Sequence, residues 1–270
     1  MNLKIDVKDR VPTYPGRIKL TPVSGQENVF DMERADLPLE PGTPVNKVLF
    51  DSKVDGLTAD VTVYVSRNGN DVNGTGEIGL PFATIQKAVD AIPKFLNGHT
   101  VTINIADGIY NEKVVCKGFA GGKLIIGTNS SDPYVTAIEI DGCSDVELNV
   151  ARFQVGSATG SELLKVTNGS NVFIPFITTF NGSGGNVTGI LASHGGLVCF
   201  ALNTNIAVNS CSTAAVVATM GGQVVLCDVT GSDNQFGLVA TMGGTITLRN
   251  TTISSSWGDN AESGGRIIEG

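Results

Sequence analysis

Between Val166 and Leu248 the chain has no Lys and no Arg, and its only acids there are Asp228 and Asp233. Across the 270 residues only 16% are charged, and the formal net charge is −8. No basic stripe exists to release counterions, which argues against a nucleic-acid or phosphate-binding surface. No apolar run approaches the roughly 20 residues of a membrane-spanning helix, so no membrane partner is expected. The opening Met1-Asn2-Leu3-Lys4 lacks the apolar core of a signal peptide, and synthesis in the cytoplasm is expected. Metal ligands are scarce: there are two His and five Cys, and Cys116, Cys143, Cys199, Cys211 and Cys227 form no CxxC pair. Five reduced thiols, no metal and no cofactor are expected.

What is plentiful is Gly, 34 residues of it, set in a periodic pattern. Apolar pairs at i and i+2 recur as Ile103/Ile105, Leu124/Ile126, Val146/Leu148, Val172/Ile174, Val198/Phe200, Val224/Leu226 and Ile246/Leu248. On a strand both members of a pair face one side. Their first members are 21, 22, 26, 26, 26 and 22 residues apart. A second ladder, Ile138, Leu164, Ile190, Val216 and Leu238, keeps the same step, and Gly169, Gly195, Gly221 and Gly243 mark turns. Two strands and a Gly turn per repeat predict a coil stacked on itself.

Residues 1–58 read differently. Pro12, Pro15, Pro22, Pro38, Pro41 and Pro44 crowd here, and Arg17–Leu20 and Asn28–Met32 read as a hairpin about Val23–Glu27. Gly42, Thr43, Pro44, Val45 and Asn46 resemble a short motif of phage tail-fibre and baseplate attachment segments from Gram-positive hosts. That resemblance implies that Gly42, Thr43, Pro44 and Asn46 belong to an attachment site. Residues 59–270 form the second expected domain. Val61–Ser66 reads as a strand, followed by a polar loop and then a helix over about 84–93. Thr84 suits its N-cap, Ile85, Ala88, Val89 and Ile92 share one face, and Pro93 ends it. Such a helix would cover the open edge of the first coil.

The strand with Tyr64-Val65-Ser66, the segment Pro81–Ala88 and the run Val101–Glu112 are together similar to the opening of pectin-lyase-like right-handed parallel β-helices. The resemblance implies an all-β fold: a single-stranded parallel β-helix of about seven coils with one N-terminal capping α-helix. It leaves the chemistry open, because lyases, hydrolases, phage tailspikes and inert stalks share this fold.

With the ladder as register, the outward residues between paired apolar positions are Asn104, Ile125, Glu147, Phe173, Cys199, Val225 and Thr247. On the second ladder they are Glu139, Lys165, Leu191, Val217 and Val239. Both rows turn apolar toward the C-terminus, as an interface would. Phe173, Leu191, Cys199, Val217, Val225 and Val239 are therefore expected between chains of a homotrimer; cover by flanking loops is the alternative. Across coils, Lys123 with Asp145, Glu139 with Lys165, and the hydroxyls of Thr167, Ser193, Thr219 and Thr241 are expected as stacking devices.

A polysaccharide hydrolase needs two carboxylates facing one groove. The candidates are few: the resemblance implies that Asp107 and Glu112 belong to a turn pattern, and opposite Asp141, Asp145 and Glu147 the next coil offers Thr167, Asn171 and Phe173. No catalytic residue is assigned. His194 takes the place of Asn168, Met220 and Met242 and reads as a turn residue. The one Trp, Trp257, stands near Asp259, Asn260 and Glu262, a composition that suits sugar binding; capping of the coil's C-terminal end is the other reading.

The resemblances together imply a structural phage or prophage-particle protein of tail-fibre or tailspike type, made in the host cytoplasm and located in the virion. Its N-terminus would bind the baseplate or another virion protein, and its trimeric β-helix would face host surface polysaccharide. A tailspike-type depolymerase and a capsid or neck fibre are the alternatives.

Overall fold

The computed structural model describes residues 57–127, 132–176, 178–202 and 206–270 in full, and the backbone of four strands before them. The chain divides into two compact units, Asn2–Asp55 and Gly56–Gly270. In the first, β1 (Val11–Pro12) pairs antiparallel with β4 (Pro38–Glu40), and β2 (Ile18–Pro22) with β3 (Phe30–Arg34). The second pairing, Leu20 opposite Met32, is the hairpin that the sequence suggests.

The second unit is an all-β parallel solenoid of about seven turns. Face one stacks nine strands: β5 (Val61–Val65), β6 (Thr100–Ile105), β8 (Lys123–Gly127), β10 (Val146–Asn149), β13 (Asn171–Ile174), β16 (Leu197–Phe200), β19 (Gln223–Cys227), β22 (Thr245–Arg249) and β25 (Arg266–Glu269). The long strands β7 (Gly108–Lys117) and β9 (Pro133–Asp141) span two further faces. Face two continues from their first halves through β11 (Arg152–Gln154), β14 (Thr179–Asn181), β17 (Ile206–Asn209), β20 (Val229–Asn234) and β23 (Thr252–Ser255). Face three continues from their second halves through β12 (Glu162–Thr167), β15 (Thr188–Ala192), β18 (Ala214–Ala218), β21 (Phe236–Ala240) and β24 (Asn260–Ala261). A turn, counted from β6 as the first, thus has three strands where the sequence suggests two. Strands β11 and β14 have three residues each, with Phe153 and Phe180 alone pointing inward. One apolar residue per strand leaves no period of two to read.

The ladders pair as their spacing predicts. Val146 faces Val172, Val172 faces Val198, Val198 faces Val224 and Val224 faces Ile246. Ile138, Leu164, Ile190, Val216 and Leu238 form the second column without a slip. The first rung differs: Val101 pairs with Leu124, and Ile103 with Ile126. Strand β6 has three inward residues, Val101, Ile103 and Ile105, so its pattern fits equally well two residues along. The outward neighbour of Ile125 is therefore Thr102 and not Asn104. At the far end Ile246 pairs with Ile267, so residues 266–269 add a rung past the expected ladder.

The interior is filled by these columns. Val101, Ile103, Leu124, Ile126, Val172, Val198 and Val224 are wholly buried, each worth about 1.5–3 kcal/mol of hydrophobic stabilisation. Phe153 and Phe180 stack at 4.7 Å between adjacent turns. Two left-handed residues make the corner from face three to face one in Asn168-Gly169, His194-Gly195, Met220-Gly221, Met242-Gly243 and Ser263-Gly264. The residue after each of the last four pairs is Gly196, Gly222, Gly244 or Gly265. A Cβ there would overlap a carbonyl oxygen of the preceding turn.

The helix α1 (Ile85–Ala91) closes the N-terminal end, burying Ile85, Ala88 and Val89. Thr84 is its N-cap, its hydroxyl accepting from the Lys87 amide at 3.2 Å. Glu112 accepts from the amides of Ile85 and Gln86 at 2.9 Å each, a carboxylate at the positive end of the helix. The Gln86 side chain accepts from the Val115 amide at 2.7 Å and donates to the Val115 carbonyl, pairing the edge of β7 as a strand would.

Candidate functional site

The outward positions divide the solenoid into a charged part and an apolar part. In turns one to three, Glu139 holds Lys113 at 2.7 Å and Lys165 at 3.0 Å, and Asp141 holds Lys117 at 2.9 Å. Glu147 pairs with Lys123. The Glu139–Lys165 pair follows the expected register. Lys123 takes Glu147 and not Asp145, because Glu147 lies on the strand and faces outward beside it. Burial would raise the Glu139 carboxyl, but hydrogen bonds from Lys113 and Lys165 outweigh this and lower it. Hydrogen bonds from Lys117 and Asn168 lower Asp141. A general acid needs the opposite shift.

The remaining acids of the two sequence clusters serve the backbone or the surface. Asp107 accepts from the Asp132 amide at 2.6 Å, and Glu112 holds the helix. His194 is a turn residue with φ of 49°, its Nδ1 3.5 Å from the Thr167 hydroxyl. The hydroxyl ladder is bonded in pairs: Ser193 to Thr167 at 3.2 Å and Thr241 to Thr219 at 2.9 Å. All five cysteines are free. Burial raises the Cys116 thiol and pushes Cys211 up to about 12, so these two are inert packing groups.

In turns four to six these outward columns are apolar, and in turn seven they give way to Thr247 and Asn260. On face one Phe173 faces Cys199, and Cys199 faces Val225. On face three Leu191 faces Val217, and Val217 faces Val239. Phe173 is 38% exposed and the other five are half-buried. Both columns flank one corner, whose tips include Met220 at 46% and Met242 at 58% exposed. Between these tips and the columns lie Ser193, Thr219 and Thr241 on face three, and Asn171, Leu197 and Gln223 on face one.

The C-terminal candidates fall in the last turn. Trp257 is 64% exposed and meets Phe236 edge-on at 5.1 Å. The Asp259 carboxylate accepts from the Leu238 amide at 2.8 Å and so continues the face-three ladder. Asn260 lies on β24 opposite Val239. Glu262 is exposed, its carbonyl closing the following turn to Gly265. Gly42, Thr43, Pro44 and Asn46 lie outside the described residues.

One concavity escaped the sequence reading. It is lined by Ile109, Asn111, Tyr134, Val135, Thr136, Gln154, Val155 and Gly156, drawn from three successive turns. Only the face-two register brings these residues together, and the pattern of that face is too short to be read.

Family models, curated proteins and solved structures compared with the chain give no match.

Proposed function

We propose that this chain is a structural fibre or spike subunit of a phage or prophage particle. In this reading three copies associate through the corner between faces three and one, in turns four to six. The N-terminal unit attaches the trimer to the virion, and the solenoid is displayed toward the host surface. The observation that carries the reading is the pair of outward apolar columns, Phe173–Cys199–Val225 and Leu191–Val217–Val239, flanking one corner. Apolar residues stacked at outward positions over three turns suit an interface better than solvent. Two distinct faces beside one corner suit a head-to-tail ring better than a two-fold dimer, which needs only one self-complementary patch. The lysine-paired acids of turns one to three support display over hydrolysis.

The test has two parts. Sedimentation equilibrium at micromolar concentration should give three times the chain mass of 28.0 kDa, and a monomer would remove the assembly. Cross-linking of intact particles should recover the chain joined to a virion protein through its first 58 residues; its absence from particles would sink the structural reading.

A further inference from the structure

We propose that the corner residues His194, Met220 and Met242 form a binding site for one soft monovalent metal ion, of the class of Cu(I) and Ag(I). The three occupy the same place in three successive turns. The amides of Gly196, Gly222 and Gly244 donate to the carbonyls of Ser193, Thr219 and Thr241 at 2.9, 2.9 and 2.8 Å. Each bond closes a four-residue turn whose two central residues are left-handed: His194-Gly195, Met220-Gly221 and Met242-Gly243. The φ angles of His194, Met220 and Met242 are 49°, 49° and 48°. The strands leading in are in register, Ala192 opposite Ala218 and Ala218 opposite Ala240. Matching turns stacked in register aim their Cα–Cβ bonds the same way, one strand spacing of roughly 4.8 Å apart.

The fold does not ask for methionine at these corners. Turns with φ above zero at both central positions are dominated by Asn, Asp and Gly. Every other non-glycine residue in this conformation among the described residues is Asn, Asp, Ser or His. The corner one turn before His194 follows the rule with Asn168, whose amide donates to Asp141 at 2.6 Å. A thioether has no such donor, and the left-handed backbone crowds its Cβ against the following carbonyl oxygen. Burial does not compensate, since Met220 is 46% and Met242 58% exposed. Ser193, Thr219 and Thr241 stand between these tips and the apolar column of face three, so that column does not account for them. The same strained, solvated choice is made at two adjacent corners. Strain of this kind gathers where side chains bind something.

The donor set defines the ion. Thioethers select Cu(I), and imidazole suits copper as well. A metal–sulfur bond is roughly 2.3 Å, so two sulfurs on opposite sides of one ion stand about 4.6 Å apart, close to the spacing of the turns. His194 is the third ligand. Its Nδ1 lies 3.5 Å from the Thr167 hydroxyl, which leaves Nε2 for the ion, and a contact at the second nitrogen is what orients metal-bound imidazoles. The column beside the site, Ser193, Thr219 and Thr241, is neutral, with Glu262 one turn beyond. One carboxylate is no cage for Ca²⁺ or Mg²⁺, which need a shell of oxygens. All three ligands belong to one chain, so the site does not rest on the trimer.

Methyl NMR of the full chain with 13C-labelled methionine, titrated with silver nitrate, tests this. The four methionines are Met1, Met32, Met220 and Met242, and the first two are internal controls. The Met220 and Met242 methyls should shift together, saturate as one ion binds, and do so at lower silver than Met1 and Met32. Silver taken up by the thiols delays this shift without imitating it. Met220→Leu should weaken the binding read at Met242, and Met242→Leu that read at Met220. Each loss should be at least the roughly 10-fold that removal of an outer-shell partner costs a metal site. His194→Asn, the residue this corner accepts at Asn168, should weaken both shifts, and the melting temperature without silver should be unchanged in all three variants. Zinc and calcium should leave the methyls where they are. Methyls that need as much silver as Met1 and Met32, that titrate separately, or that respond equally to zinc would overturn the site. Unchanged binding in His194→Asn or in both leucine variants would do the same. Sedimentation reads the assembly and the methyl shifts read the ion, so the two proposals fail separately.

Discussion

Gly222 shows how closely the turns approach one another. Any side chain there would meet the carbonyl of Ala192 in the preceding turn. Gly222→Ala should therefore force the backbones apart and cost about 1–3 kcal/mol, as overpacking does elsewhere. The urea midpoint should fall while far-UV circular dichroism at zero urea keeps its β signature. Glu139 sets a pH dependence. Its folded carboxyl lies below the ordinary value because hydrogen bonds from Lys113 and Lys165 outweigh the effect of burial. Stability from its ionised form is present above the unfolded value of about 4.3 and is lost as pH falls through the lower folded value. Asp141 acts in the same sense through Lys117 and Asn168. The urea midpoint should therefore drop as the solution is acidified below that unfolded value, and Glu139→Gln should flatten part of this acid limb. An unchanged limb would mean that the lysine pairs contribute nothing to folding.

The helix Ile85–Ala91 acts as an element through two side chains outside the hydrophobic pattern. Glu112 holds its first amides, and Gln86 pairs the exposed edge at Val115. Glu112→Ala removes two hydrogen bonds to a charged acceptor, each worth about 1.5–3 kcal/mol. The melting temperature should fall, and hydrogen exchange at the amides of Ile85 and Gln86 should speed up first. Loss of stability without faster exchange there would place the defect elsewhere. The helix itself was legible: Thr84 and the spacing of Ile85, Ala88 and Val89 mark it. The role of Glu112 was not, because its partners lie 26 and 27 residues away. The same limit explains face two. Faces one and three repeat apolar pairs or long runs, whereas β11 and β14 offer a single Phe each. The concavity, which needs Gln154 placed beside Thr136, was hidden with that face. The extra rung at Ile267 was hidden for a different reason: the corner Ser263-Gly264 lacks the Met or His of its predecessors, so the repeat reads as ended.

For the whole molecule, the boundary between its two parts falls at the same turn on both faces. Glu147 gives way to Phe173 on face one, and Lys165 to Leu191 on face three. A solvated solenoid has no physical reason to change both columns together, because the interior is equally apolar on either side of the boundary. The proposed contact with sister chains over turns four to six would supply one. Outward columns need no change in the core, so charge can be introduced there without a cavity. Val217→Lys with Val225→Lys should therefore leave the folded chain intact and bury unpaired charge only in an assembly, at a cost of several kcal/mol. Sedimentation should then report monomers, with far-UV circular dichroism unchanged. Lys165→Ala, on the charged side of the boundary, should leave the mass of the assembly as it is. If the double variant sediments like the parent, the apolar columns are not the contact; if Lys165→Ala dissociates it, the contact reaches below turn four.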